Sequence, residues 1–109
     1  MGKYWVFLLI AGLCEIGWPI GLKISQTTNK TVLGIVIAIV SMAVSGYFLW
    51  MAQKQIPLGT AYAVWTGIGA AGTFLVGVII FGDPSNWVRF LGVGLIIGGV
   101  VTLKLASGH

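Results

Sequence analysis

The chain has 109 residues, of which 58% are hydrophobic and only 7% are charged. About a quarter of the residues of a soluble domain are charged, so this composition excludes a water-exposed globular surface and predicts one membrane domain. The formal net charge is +4, but the lysines and the arginine are scattered one or two at a time between apolar segments. Nucleic-acid binding requires clustered positive charge, so no nucleic-acid partner is expected.

Four apolar segments follow one another along the chain, at about 4–22, 32–51, 58–81 and 86–105. Each is close to the ~20 residues that a helix needs to cross the hydrocarbon core of a bilayer. Polar, proline- and glycine-containing stretches separate them. We therefore predict an all-α membrane protein with a single domain over 1–109, whose short connections hold four transmembrane helices in a tight antiparallel arrangement.

The first segment contains Glu15 about halfway along its length. A charge at the centre of a bilayer costs at least ~2.5–3.5 kcal/mol on insertion scales, so Glu15 is the leading functional candidate; a protonated structural carboxyl is the alternative. Trp18 follows three residues later on the same helical face. Pro19 lacks the N–H that would bond the Glu15 carbonyl, so this oxygen either helps to coordinate a cation or belongs to a packed kink.

Polar and aromatic side chains on the second and third segments are candidates for the wall of the same site. Ser45 lies on the second segment, and Tyr62 and Trp65 share an i, i+3 face on the third. A buried hydroxyl or indole N–H seeks an acceptor and aromatic faces attract cations, whereas aromatic residues near helix ends are often interfacial filler. On the fourth segment Gly94 and Gly98 form a small-xxx-small pattern, which favours helix association, either in a dimer or within one chain.

A GxGxxG sequence from Gly67 to Gly72 also matches a nucleotide-binding fingerprint. That motif requires a preceding strand and a βαβ unit, and here it lies within an apolar segment, so we interpret the glycines as sites of close helix contact and bending. The sequence contains no nucleophile–base pair, no metal-ligand cluster and no cofactor motif in its required context. We expect no enzymatic activity, no catalytic residues, no metal and no cofactor.

The orientation in the membrane is not fixed by charge. Three basic residues fall on each side, with Lys3, Lys54 and Lys104 on one and Lys23, Lys30 and Arg89 on the other. A balanced count permits insertion in both orientations. Alternating access usually needs two repeats related by an axis in the membrane plane, and one chain has no internal repeat. Both observations predict an antiparallel homodimer of oppositely inserted copies.

In such a dimer two copies of Glu15 would share one cavity and titrate as a coupled pair. A cationic substrate and protons would compete for the same anionic site, which gives proton–cation exchange. The alternative outside the class of transporters is a passive oligomeric cation channel. The sequence argues against it, because no segment has a continuous polar face that could line a water-filled pore. An obligate heterodimer with a second chain is a further alternative.

Three stretches of the sequence resemble those of a known family. The whole chain resembles the small multidrug resistance family of proton-coupled exporters, and within it the guanidinium-exporter branch. The residues that carry the resemblance are Ala11-Gly12-Leu13-Cys14-Glu15 with Trp18 and Leu22-Lys23, the stretch from Pro57 to Ala70 (PLGTAYAVWTGIGA), and Leu103-Lys104.

The resemblance implies a multi-pass protein of a bacterial inner (plasma) membrane, assembled as an antiparallel homodimer partly through the fourth helix. It implies that Glu15 binds the substrate and H⁺ alternately, with H⁺ as the coupling ion. The residues carried over by motif position are a wall formed by Trp18, Ser45, Tyr62 and Trp65, a supporting Lys104, and Gly12, whose small size leaves room for substrate.

Trp18 and Lys104 place the resemblance in the guanidinium branch rather than the polyaromatic-cation branch. The paired N–H donors of a planar guanidinium suit a carboxylate in bidentate geometry, and Trp18 and Ser45 are expected to donate to Glu15 and fix its orientation. Pro19 and Gly46 depart from the typical pattern. Both residues could widen or reshape the site, so guanylurea and alkylated or quaternary ammonium cations are further candidate substrates. A broader multidrug cation exporter is therefore the alternative within the family.

Overall fold

A computed structural model of the protein describes residues 2–106, which form four α-helices. The helices are α1 (Gly2–Thr27), α2 (Thr31–Ala52), α3 (Leu58–Ile80) and α4 (Trp87–Ala106). At 1.5 Å per residue each helix is about 30–39 Å long, and all four are long and apolar enough to cross a membrane. The chain is an all-α, multi-pass membrane protein, as its composition predicts.

The first helix continues beyond the predicted end near 22. Polar side chains are accommodated at this end because their hydroxyls donate to carbonyls of the preceding turn, with Thr27 bonded to Lys23 O at 2.8 Å and Thr28, just after the helix, to Ile24 O at 2.7 Å. These bonds satisfy the side chains without water, so hydrophobicity alone places the end of the helix too early.

The third helix ends at a turn that also positions the following loop. Gly82 has φ +70°, the single positive φ among residues 2–106. This left-handed conformation, which glycine adopts without a steric penalty, turns the chain back so that the amides of Phe81 and Asp83 both donate to the carbonyl of Gly77, at 3.1 and 3.0 Å. Asp83 is thereby held against α3.

Helices α1, α2 and α3 form the packed part of the molecule. Leu8 of α1 and Val64 of α3 are fully buried. Where α1 meets α2, a Cβ atom added to Gly21 would lie 2.6 Å from the carbonyl oxygen of Gly34, so the two backbones are in direct contact. Small residues allow such approach, and dispersion contacts then hold helices together in lipid.

Helix α4 lies at the edge of a flat molecule with principal extents of 46 × 33 × 17 Å. Among the other helices its backbone approaches only α3, and Val93 is its one buried residue within the described part of the chain. The prediction of a tight four-helix arrangement is therefore wrong for α4. Apolar side chains lose nothing by facing lipid, so the hydrophobicity of α4 does not require it to be enclosed.

Candidate functional site

Glu15 lies near the middle of α1, half-buried on the side that faces α3. Opposite it stands Gly69, where an added Cβ atom would overlap the Cγ atom of the Glu15 side chain. The absence of a side chain at Gly69 is thus what leaves space for the carboxylate between the two helices. Glu15 forms no ion pair with any Lys or Arg of residues 2–106.

The carboxylate is oriented by its own helix. The indole N–H of Trp18 donates to Oε1 of Glu15 at 2.7 Å, across the i, i+3 spacing that the sequence indicates. A charge-assisted hydrogen bond of this length both fixes a carboxylate and stabilises its ionised form. It occupies one oxygen and leaves acceptor capacity on the other.

Glu15 faces an open groove of about 410 Å³ between α1 and α3. The lining residues are Glu15, Pro19, Thr66, Gly69, Ala70, Thr73, Phe74 and Asp83. Pro19 reaches the groove one turn after Glu15, and α1 continues as a helix through it. Because Pro19 lies within the helix and has no N–H, it cannot donate the i→i−4 hydrogen bond to the backbone carbonyl of Glu15.

Ser45 has a different role from the one expected for it. Its buried hydroxyl donates to the carbonyl of Ala11 at 2.7 Å, not to Glu15, and accepts the indole N–H of Trp65 at 2.7 Å. In an α-helix the Ala11 carbonyl also accepts the amide N–H of Glu15. The three-residue chain from Trp65 through Ser45 thus ties α3 and α2 to the turn of α1 that carries Glu15. The expected Ser45–Glu15 bond is wrong because Ser45 reaches α1 one turn too early.

Tyr62 and Gly12 are not part of the groove within one chain. The Tyr62 ring is largely exposed and packs beside Trp65, with 5.5 Å between the ring centroids. A Cβ atom on Gly12 would lie 2.9 Å from the side chain of Ile68, so the space next to Gly12 is occupied by α3 rather than left open for substrate.

The remaining candidates lie away from Glu15. The Lys104 ammonium sits 5.0 Å from the ring centroid of Trp5, ten residues and therefore about 15 Å along α1 from Glu15. Gly94 and Gly98 are exposed on α4, and an added Cβ at either would meet nothing within 4 Å. Residues 2–106 contain no group of three His, Cys, Asp or Glu side chains that could hold a metal ion.

The sequence predicts Gly69 only as a site of close helix contact, and it does not mark Thr73 or Asp83 as site residues, although all three line the groove. A usable signal exists for two of them, because Thr66, Gly69 and Thr73 recur at i, i+3 and i+7, which is one face of a helix. Asp83 lies in the polar stretch that separates the third and fourth apolar segments. The fact that it is the second of just two acidic residues in the sequence is the signal that could have marked it.

Four apolar helices and a single carboxylate within the spans define a small multi-pass membrane protein with one half-buried acidic site. A family model described as Small Multidrug Resistance protein matches residues 3–96. The chain belongs to the small multidrug resistance family.

Several curated proteins that are similar to this chain share one name. It is 48% identical over 103 residues to a protein of Yersinia pseudotuberculosis named guanidinium exporter, covering 94% of this chain and 98% of the relative. Guanidinium exporters of Proteus vulgaris and Citrobacter freundii are 47% and 45% identical over 94% of this chain, and over 98% and 97% of their own length.

Proposed function

We propose that this protein is a proton-coupled antiporter that exports guanidinium and small guanidinyl cations such as guanylurea. The observation that carries the proposal is the state of Glu15, an intramembrane carboxylate held by Trp18, facing a groove, and without a cationic partner among residues 2–106. The name shared by the relatives supports guanidinium as the cation.

The chemistry of the carboxylate suits this substrate. A guanidinium ion is planar and presents parallel pairs of N–H donors, which a carboxylate accepts in a fork of two charge-assisted bonds. The Trp18 indole approaches one oxygen from within α1 and limits rotation of the carboxylate. The 2.7 Å bond therefore presents the remaining acceptor positions in a defined direction, which favours a planar donor over a spherical cation.

Proton movement and cation movement are coupled because both ions occupy the same site at Glu15. A proton and a guanidinium ion both neutralise the same carboxylate, so one is released when the other binds. If only the occupied site changes its exposure between the two sides of the membrane, inward proton movement drives outward cation movement. Groups far from Glu15 need not take part in this exchange.

An antiparallel homodimer with dual topology, in a bacterial inner membrane, is part of the same proposal. It is supported by the three-against-three distribution of basic residues and by the uncovered face of α4, where Gly94 and Gly98 are open to a second copy. In the dimer two Glu15 side chains and the exposed Tyr62 rings would border a common cavity.

The test is flux into liposomes that contain the purified full-length protein. An imposed proton gradient should drive uptake of guanidinium, Glu15→Gln should abolish it, and Glu15→Asp should retain part of it because the charge remains. Guanidinium movement that ignores the gradient would contradict coupling, and single-channel currents would indicate a passive pore. Equal transport of tetrapropylammonium would favour the broader multidrug cation exporter.

A further inference from the structure

The groove that contains Glu15 extends to the loop after α3 and includes both acidic residues of the sequence. Glu15 lies against Gly69 and the carboxylate of Asp83 lies against Gly77. These two glycines are eight residues apart on α3, which corresponds to about 12 Å along the helix. The two carboxylates are therefore at opposite ends of one groove.

Asp83 is held in place at its end of the groove. Its amide donates to the Gly77 carbonyl at 3.0 Å, and its side-chain oxygen Oδ2 occupies the space that a Cβ atom on Gly77 would fill. No Lys or Arg of residues 2–106 forms an ion pair with it. The charge is thus positioned by the backbone turn rather than neutralised by a neighbour.

A second, smaller cavity of about 140 Å³ opens at the same end and shares Pro19, Thr73 and Asp83 with the groove. It adds Lys23, whose charge opposes that of Asp83. The shared residues show that the two cavities adjoin along α3. Thr73 lies midway between Gly69 and Gly77 on the same face of α3 and lines both cavities.

We propose that the groove and the adjoining cavity together form the access path for the cation at one side of the membrane, and that Asp83 is its capture residue. This inference rests on the proposed function and adds a step to it. A fixed negative charge at the mouth of a low-dielectric groove raises the local concentration of small cations. Lys23 at the same mouth works against it.

A capture residue has a kinetic signature. Because Asp83 and Glu15 pack against glycines about 12 Å apart along α3, Asp83 stabilises a cation in transit more than a cation already bound at Glu15. Removing its charge should slow both association and dissociation, while the equilibrium Kd changes much less. A direct ligand would behave differently, since its loss would raise Kd mainly through faster dissociation.

The experiment is stopped-flow binding of guanidinium to the purified full-length protein, followed by tryptophan fluorescence at low and high potassium chloride. For Asp83→Asn we expect kon and koff to fall about two- to tenfold at low salt. This is less than the 10- to 10³-fold acceleration of association that a whole charged cleft provides, because only one charge is removed. The difference should shrink at high salt, where the Debye length is shorter.

Two further variants complete the test. Asp83→Glu keeps the charge and should bind as the original protein does, and Lys23→Gln should accelerate association. An Asp83→Asn protein with full fluorescence amplitude and an unchanged kon would overturn the capture role, and a Kd raised through koff alone would do so too. A failure of the original protein to bind guanidinium would instead overturn the proposed function.

Discussion

The α1–α3 contact at Glu15 and the outer face of α4 are both glycine-containing, yet their glycines have opposite surroundings. At Gly69 a methyl group would collide with Glu15, whereas at Gly94 and Gly98 it would meet nothing within 4 Å. In a membrane protein the exposed fraction of an apolar residue says little, because lipid solvates it as well as the interior does. Gly69 therefore lies in crowded space beside Glu15, whereas Gly94 and Gly98 leave an open face on α4, which is where we propose a second copy.

The largest effect that separates the two regions is expected from Gly69→Ala. Its methyl group must displace the Glu15 side chain and strain the Trp18 bond, so guanidinium affinity should fall at least about tenfold, or about 1.4 kcal/mol. The affinity is measured by equilibrium binding of guanidinium to the purified protein. Gly92→Ala on α4 is the matched control, because its methyl group would meet nothing within 4 Å, and equal losses in both variants would contradict the comparison.

A smaller effect is expected from Ser45→Ala, which leaves the Trp65 indole N–H without its acceptor. A fully buried unsatisfied donor costs about 1–3 kcal/mol, and this one is partly buried, so the thermal midpoint should fall moderately and transport should weaken without being abolished. Ser25→Ala serves as the control, since that hydroxyl bonds its own helix near the end of α1. A Ser45→Ala protein as stable as the control would show that the link between α3, α2 and α1 is not needed.

The sequence was most informative where one helix determines the geometry. The Trp18–Glu15 pair and the position of Pro19 follow from the helical repeat alone, so the periodicity of α1 predicts them. The partner of Ser45 does not follow, because it depends on how α2 is rotated against α1. A shift of one turn is enough to move the hydroxyl from Glu15 to Ala11.

The edge position of α4 could not be predicted for a related reason. Its hydrophobicity is suited equally to a helix neighbour and to lipid, so the sequence does not distinguish enclosure from exposure. The contact of Gly69 with Glu15 could not be predicted because the two residues are far apart in the sequence, and that of Asp83 with Gly77 because it depends on the turn at Gly82.

The smallest effect on the protomer is expected from Gly94→Leu. The bulky side chain enters empty space, so each protomer should fold as before, while the dimer should dissociate about tenfold more readily if this face meets a second copy. Förster transfer between labelled copies in liposomes at increasing dilution measures the dimer. Gly92→Leu lies on the opposite face of α4 and should leave it intact; equal weakening by both substitutions would remove the Gly94–Gly98 face from the interface.

The central claim is that a cation and a proton compete for Glu15. It is tested most directly by adding guanidinium to purified protein in weakly buffered solution and measuring the protons released, with Glu15→Gln as the reference. We expect the original protein to release protons in an amount that saturates with guanidinium binding, and we expect no such release from Glu15→Gln. Guanidinium binding that releases no protons, or the same release from Glu15→Gln, would contradict it.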